Sequence, residues 1–310
     1  SPNNAEWCIT QFATAKIGAI LVNINPSYRT HELEYALKQS GTSTLILEGA
    51  FKSSEYAKMI CQLVPELNVA SPENLKSATL PELKRVICLD KELATSGMYS
   101  WAQLMELYPE VSEEALAEIQ ASLDFDDPIN IQYTSGTTGA PKGATLSHNN
   151  ILNNGYFVAQ GQNLTHKDKI VIPVPLYHCF GMVMGNLGCI THGATMIYPS
   201  DGFDPELTLK AVEEEQATSL YGVPTMFIAE LEHPNFKDFN LSSLRTGIMA
   251  GSNCPIEVMK KVIEQMNMQD VTICYGMTET SPVSFQTTKD APIEKRVGTV
   301  GTIHPHLEVK

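Results

Sequence analysis

From residue 129 to residue 275, short apolar runs alternate with longer segments of helical periodicity, and this alternation limits the architectures open to the chain. The runs 129–133, 143–146, 170–172, 194–198, 217–221, 245–250 and 271–275 read as strands. Between them, 148–160, 180–190, 205–215, 224–232 and 255–266 carry the spacing of helices. Strands alternating with helices predict a parallel sheet covered by helices, because only a crossover element can join parallel neighbours. The earlier residues follow the same rule. A helix over 4–18 leads into Ala19-Ile20-Leu21-Val22, and Asn25-Pro26-Ser27 turns the chain. Thr30 can cap a helix running to about Gln39, which Gly41 can end. Thr44-Leu45-Ile46-Leu47, a helix near 54–63 and Arg85-Val86-Ile87-Cys88-Leu89 continue the pattern. Residues 90–127 are more polar and read as surface helices over 100–108 and 112–121, followed by the linker Asp124-Phe125-Asp126-Asp127-Pro128. The expectation is an α/β fold of two sheet-and-helix lobes, 1–127 and 128–310, with the ligand-binding segments in the second.

Composition narrows the function classes. A chain of 310 residues with 43% hydrophobic and 18% charged residues is long enough for a large core. Its net charge of −14 excludes a general nucleic-acid binder, which needs clustered Lys and Arg against phosphates. The same charge is compatible with a nucleotide, since backbone N–H groups can build an anion site in an acidic protein. The seven cysteines are scattered with no C-x-x-C pair, which argues against zinc and for free thiols in a reducing compartment, the cytoplasm or else the mitochondrial matrix. No run reaches the ~18–20 apolar residues of a transmembrane helix. Self-association into a homo-oligomer is compatible with everything read here.

The segment Tyr133-Thr134-Ser135-Gly136-Thr137-Thr138-Gly139-Ala140-Pro141-Lys142-Gly143 concentrates the chemistry. Glycines let the backbone approach a ligand, successive N–H groups form a concave anion site, hydroxyls add donors and Lys142 adds a mobile positive charge. It is not the G-x-x-x-x-G-K-[ST] loop of ordinary nucleotide hydrolases: Pro141 precedes the lysine, Gly143 follows it, and Ala144-Thr145-Leu146 reads as a strand where that loop needs a helix. From Thr134 to Lys142 the segment resembles the phosphate loop of the adenylate-forming superfamily, which includes acyl-CoA synthetases, luciferases and the adenylation domains of peptide synthetases.

Further segments resemble the same family in order and spacing, so the likeness covers essentially the whole chain. In Pro175-Leu176-Tyr177-His178-Cys179-Phe180-Gly181, taken alone, His178 reads as a packed core histidine. A Cys–His nucleophile finds no orienting acid, and adjacent side chains rarely face each other. Met249-Ala250-Gly251-Ser252 follows the strand Leu244-Arg245-Thr246-Gly247-Ile248, and small residues at a strand's C-terminal end are where α/β sheets bind ligands. Tyr275-Gly276-Met277-Thr278-Glu279-Thr280 offers a flat ring, a close backbone approach, a hydroxyl donor and a hard carboxylate suited to Mg²⁺. Arg296-Val297-Gly298-Thr299-Val300-Gly301 resembles the family's next glycine-bearing segment.

The resemblance implies roles. ATP would be held by Thr134, Ser135, Gly136, Thr137, Thr138, Gly139, Ala140, Pro141 and Lys142, together with Gly251, Ser252, Tyr275, Gly276 and Thr278. Lys142, Thr278 and Glu279 would serve catalysis, with Glu279 as the Mg²⁺ ligand. His178, Tyr221, Gly222, Val223, Ala250 and Met277 would line the acid's pocket. The implied reaction joins a carboxylate to the α-phosphate of ATP and releases pyrophosphate, after which the thiol of CoA displaces AMP. Amino-acid-activating relatives hold the substrate ammonium with an early acidic residue. The Tyr177–Gly181 stretch has none, and the pocket candidates are mostly apolar. A fatty acid therefore fits best, at ~0.8 kcal/mol per buried CH₂, and the chain most resembles medium-chain acyl-CoA synthetases. The family also carries a ribose-binding Asp and a small lysine-bearing domain further along. Their absence from this sequence, and the start of the chain at Ser1-Pro2-Asn3-Asn4-Ala5-Glu6-Trp7 just before a helix, imply a large N-terminal portion, inactive alone. The alternatives are a non-catalytic nucleotide-binding or interaction module, and adenylation of another acid, aryl or luciferase-like.

Overall fold

The computed structural model describes residues 1–108, 111–134 and 140–310. Two compact units emerge: one of residues 1–2 and 9–145, the other of residues 3–8 and 146–310.

In the first unit, helix α1 (Ala5–Lys16, whose first residues belong to the second unit) leads to strand β1 (Leu21–Asn23). Then come α2 (Thr30–Ser40), β2 (Thr44–Leu47), α3 (Tyr56–Leu63), β3 (Arg85–Cys88), β4 (Tyr99–Ser100), α4 (Trp101–Glu106), α5 (Glu113–Ser122), β5 (Pro128–Thr134) and β6 (Lys142–Ser147). The strands form two three-stranded sheets, ordered β1-β5-β6 and β2-β3-β4. β2 and β3 run parallel, as their connection through α3 requires. Leu33 and Leu37 of α2, Ile60 and Leu63 of α3, and Leu45, Leu47, Val86 and Cys88 of the strands share one core. Gly41 ends α2 in the left-handed region at φ 62°, as the sequence predicts.

The lobe boundary differs from the sequence expectation. β5 pairs in parallel with β1, Ile131 opposite Val22, which places residues 128–145 in the first unit. Buried amides stitch this pairing: Asn130 Nδ2 donates to Leu21 O at 2.8 Å and Asn23 Oδ1 at 3.1 Å, and Gln132 Nε2 donates to Asn130 Oδ1 at 2.8 Å. The phosphate-loop segment therefore leaves from the first unit. A polar linker in the sequence marks a surface turn, and here the domain division comes some twenty residues later.

The second unit is built on α6 (His148–Gly161), β7 (Lys169–Val171), a π-helix (Phe180–Leu187), α7 (Gly188–His192), β8 (Thr195–Ile197), α8 (Pro205–Glu215), β9 (Ser219–Gly222) and α9 (Pro224–Leu231). It continues with β10 (Thr246–Ala250), α10 (Ile256–Gln265), β11 (Asp270–Gly276), β12 (Val283–Gln286), α11 (Ile293–Gly298) and β13 (Thr302–Ile303). A seven-stranded sheet has the order β13-β12-β11-β10-β9-β7-β8. The strands from β8 to β11 are parallel, whereas β12 and β13 are antiparallel additions. Successive side chains alternate between two cores. Ile170, Tyr221, Ile248 and Cys274 pack with α6 and the π-helix, while Val171, Leu220, Met249 and Ile273 pack with α8, α9 and α10. Both faces are covered, which explains why these strands read as unbroken apolar runs. The π-helix replaces the α-helix expected over 180–190 and is buried throughout. Among the described residues, no helix is long and apolar enough to cross a membrane.

Candidate adenylate site

In the first unit, β5 and β6 flank the hydroxyl-rich loop. Ser135, Gly136, Thr137, Thr138 and Gly139 lie outside the described residues. At the loop's base, Thr134 Oγ1 donates to Lys142 O at 3.4 Å. Gly143 is the second residue of β6: a Cβ there would stand 2.9 Å from Ile131 Cγ2 and 3.6 Å from the Tyr133 ring. Tyr133 is tethered by its hydroxyl to Ala36 O of α2, at 3.1 Å. Ala140 and Lys142 are exposed and Pro141 half-buried, so the Lys142 ammonium is free to reach an anion.

In the second unit, three neighbouring parallel strands end together. Register places Gly222 of β9 beside Met249 of β10, and Ala250 beside Cys274 of β11. Their C-terminal ends thus bring Gly222-Val223, Ala250-Gly251-Ser252 and Tyr275-Gly276-Met277 to one edge of the sheet, the position where α/β sheets accept ligands. The glycines there are required for steric reasons. Gly251 takes φ +89° with Val223 Cγ1 3.1 Å from where a Cβ would stand, and a Cβ on Gly276 would collide with Pro282 O. Gly251, Ser252, Tyr275, Gly276, Met277 and Glu279 are exposed, and Thr278 is half-buried. The Tyr275 ring leans on Phe285 at 6.1 Å between centroids, and half of the residue's surface is exposed.

The segment 172–181 follows β7, and Cys179 Sγ comes within 4.0 Å of Thr278 Oγ1. His178 and Cys179 also meet, Sγ lying 3.6 Å from Nδ1, contrary to the expectation for adjacent residues. No nucleophile results. His178 Nδ1 accepts the Phe180 N–H at 3.1 Å, so the neutral ring carries its proton on Nε2. Burial pushes the Cys179 thiol up to about 12, leaving it protonated at neutral pH. The crowded surroundings lower the His178 pKa through desolvation, although part of its ring is exposed, so His178 stands as a neutral Nε2–H donor at the rim.

Tyr221 does not line an opening. It is wholly buried, stacks on Phe180 at 5.9 Å, and its hydroxyl accepts from Gln162 Nε2 at 2.8 Å. Gly222 is likewise packed, with Phe227 3.0 Å from where a Cβ would be, and Ala250 is 5% exposed. These residues shape the wall from behind, whereas Val223 and Met277 reach the surface.

Arg296 is structural: Nε donates to Ala291 O at 2.9 Å and Nη1 to Gln269 O at 2.9 Å and Val271 O at 3.2 Å, fastening α11 to the start of β11. Among the described residues no group of three or more His, Cys, Asp or Glu side chains gathers as a metal cage. Glu279 offers a single exposed carboxylate, a donor set that fits Mg²⁺ carried mainly by phosphate oxygens and water. Sequence reading missed the asparagines that hold these segments. Asn3 Nδ2 donates to Val174 O at 3.0 Å and Oδ1 accepts the Leu176 N–H at 2.8 Å, fixing the approach to His178. Asn154 makes an equivalent pair with Val283. The available signal was a polar residue on an otherwise apolar helix face, as in α6.

The family model for AMP-binding enzymes matches residues 1–310. YngI of Bacillus subtilis (strain 168), named as an acyl-CoA synthetase, is 51% identical over 308 residues, covering 99% of this chain and 56% of its own length. The mitochondrial medium-chain acyl-CoA ligase ACSF2 of Danio rerio is 46% identical over 311 residues, covering 100% of this chain and 51% of its own. The chain spans about half the length of the curated relatives it matches. Among solved structures, the N-terminal domain of FACL13 from Mycobacterium tuberculosis aligns with a TM-score of 0.77 at 20% identity, covering 97% of this chain and 67% of that one. The anthranilate CoA ligase AuaEII, in complex with anthranoyl-AMP, aligns with a TM-score of 0.77 at 22% identity, covering 98% and 54%. At such identities the likeness is one of fold.

Proposed function

The chain belongs to the AMP-binding enzymes, and from that premise we propose that it is the nucleotide- and acid-binding part of an AMP-forming fatty acyl-CoA synthetase acting on medium-chain acids. The observation that carries this reading is the gathering of 222–223, 250–252 and 275–279 at the C-terminal ends of three adjacent strands. The apolar character of Val223 and Met277, the lack of any acid in 177–181, and the relatives named as medium-chain ligases support the choice of acid.

The chemistry is charge neutralisation and positioning. A carboxylate oxygen attacks the α-phosphorus of ATP; the P–O bond to pyrophosphate breaks and acyl-AMP forms. In the second half, the thiol of CoA adds to the acyl carbon, loses its proton, and expels AMP to leave the thioester. Residues 134–142 would grip the β- and γ-phosphates, and Lys142 would screen their charge. Gly251, Ser252, Tyr275 and Gly276 would accept the adenine along open backbone, with the Tyr275 ring as its platform. Thr278 would donate to a phosphate oxygen. His178 would present Nε2–H to an oxygen of the acid. Glu279 would hold Mg²⁺, which would supply positive charge to offset that of the phosphates.

The chain would bind ATP, while turnover would belong to the longer protein. A reducing compartment, cytoplasm or mitochondrial matrix, is supported by seven free cysteines. The test is ATP–pyrophosphate exchange driven by octanoate or dodecanoate, in this chain and in a version extended at both ends. Exchange in the extended protein is expected. ATP binding without exchange for any carboxylate would reject the ligase reading and favour a nucleotide-binding module.

A further inference from the structure

The turn between β11 and β12 carries Thr278 and Glu279, and apart from the 4.0 Å contact of Thr278 Oγ1 with Cys179 Sγ its hydrogen bonds among the described residues close it upon itself. The Met277 N–H donates to Pro282 O at 3.0 Å, the Thr280 hydroxyl donates to the same carbonyl at 2.7 Å, and Ser284 Oγ lies 2.9 Å from Thr280 Oγ1. The base of the turn is fastened from outside by Asn154 of α6. Its Nδ2 donates to Val283 O at 2.8 Å and its Oδ1 accepts the Val283 N–H at 3.1 Å, both within the buried interior. A carboxamide presents a donor and an acceptor side by side, so Asn154 supplies the bond pair that a neighbouring strand would.

The clamp is itself rigidly placed. Gly155, the next residue, lies so close to the π-helix that a Cβ would stand 2.8 Å from Leu187 Cβ and 3.0 Å from Val183 O. One turn further along α6, Val158 O accepts from Gln286 Nε2 at 3.3 Å, which holds the far end of β12 independently. Loss of Asn154 would therefore free the turn and spare the strand beyond it.

We propose that Asn154 is a positioning residue of the adenylate site, which sets where Thr278 and Glu279 stand by clamping Val283. This rests on the reading of 275–279 as the phosphate- and metal-facing segment. A placement error of a fraction of an ångström in such groups is costly, because their effect depends on preorganised geometry.

The test compares this chain with Asn154→Ala and Thr218→Val. Thr218 makes partly buried bonds with Asp168 Oδ1 and the Lys169 N–H just before β9, at the opposite end of the parallel strands, and serves as a control for simple destabilisation. Amide hydrogen exchange is measured without ligand, and MgATP affinity by calorimetry. Asn154→Ala is expected to speed exchange across 277–284 but not at Gln286, and to weaken MgATP about tenfold. Thr218→Val should keep affinity within about twofold. If Asn154→Ala does not fold, Asn154→Asp serves, since it keeps the acceptor for Val283 N–H and loses the donor. Unchanged exchange in the turn, unchanged affinity, or an equal affinity loss in Thr218→Val overturns the proposal. If the unaltered chain fails to bind MgATP, it is the functional reading of the site that fails, and exchange alone then decides whether Asn154 holds the turn.

Discussion

Glu230 on α9 is 1% exposed, and neither carboxylate oxygen has a hydrogen-bond partner among the described residues. Desolvation of a lone carboxylate is expensive, so burial holds its pKa well above the usual value of 4.5. The sign follows. Above pH 4.5 the unfolded chain gives up this proton more readily than the folded one, so the group's contribution to stability falls as pH rises. Glu230→Leu should be more stable than the parent by about 1–3 kcal/mol at pH 8, with a smaller advantage at pH 5. Urea unfolding at the two pH values decides it; a difference that does not grow with pH would refute the assignment. A second comparison probes the phosphate loop: Lys142→Ala should weaken ATP binding more than Cys179→Ala, since Lys142 is an exposed cation and Cys179 a buried, protonated thiol. Equal affinities by calorimetry would count against the loop assignment. The site's residue types were legible in the sequence because glycine, hydroxyl and carboxylate at fixed spacing announce their chemistry. What was not legible is direction. Tyr221 looks like a pocket residue in a string of letters, yet strand parity turns its ring into the core, towards Phe180 and Gln162.

At the scale of elements, the sequence predicted the parallel strands and the helices between them nearly to the residue, as with 205–215 and α8, because apolar runs and helical periodicity are local signals. It did not show β12, β13 or α11, which are short and lack a long apolar run. They are held by tertiary bonds instead. His304, just after β13, sits 3.0 Å by Nε2 from Gln286 Oε1 of β12, and its buried Nδ1 has no hydrogen-bond partner among the described residues. Burial lowers its pKa from 6.5 to about 4. Between these values the unfolded chain binds the proton and the folded one does not, so stability is lost as pH falls below 6.5 and the loss levels off near 4. At about 1.4 kcal/mol per pH unit the effect between 6.5 and about 4 amounts to roughly 3.5 kcal/mol, and His304→Gln should flatten the profile. An acid limb as steep in the variant as in the parent would remove His304 from the account. The turn before β12 offers a steric test. Gly276→Ala must drive a Cβ into Pro282 O, whereas Gly298→Ala in α11 meets nothing within 4 Å. The first should reduce adenylate binding and lower the melting temperature; the second should leave both unchanged or raise stability by about 0.5–1 kcal/mol. Equal tolerance of the two would show that the turn moves freely.

At the scale of the whole molecule, the cysteines report on both units at once. All seven are free: Cys61 and Cys88 lie in the first unit, and Cys8, Cys179, Cys189, Cys254 and Cys274 in the second. Burial raises every one of these thiols, Cys88 and Cys254 to about 11, and Cys189 and Cys274 beyond the ordinary thiol range. Since the thiolate is the reactive form, the native protein at pH 8 should react with iodoacetamide slowly, and first at the half-buried Cys8 and Cys61. The two units have unequal means of resisting denaturant. The first divides its strands between two three-stranded sheets, while the second closes one seven-stranded sheet between two apolar cores. Hydrophobic burial grows with the size of a core, so the first unit should open at lower urea. Pulse labelling across a urea series, read by mass spectrometry of the peptides, should therefore expose Cys88 before Cys274, although both are buried in the native state. Simultaneous exposure would mean that the chain unfolds as one cooperative body, and the lower stability assigned to the smaller sheets would be wrong.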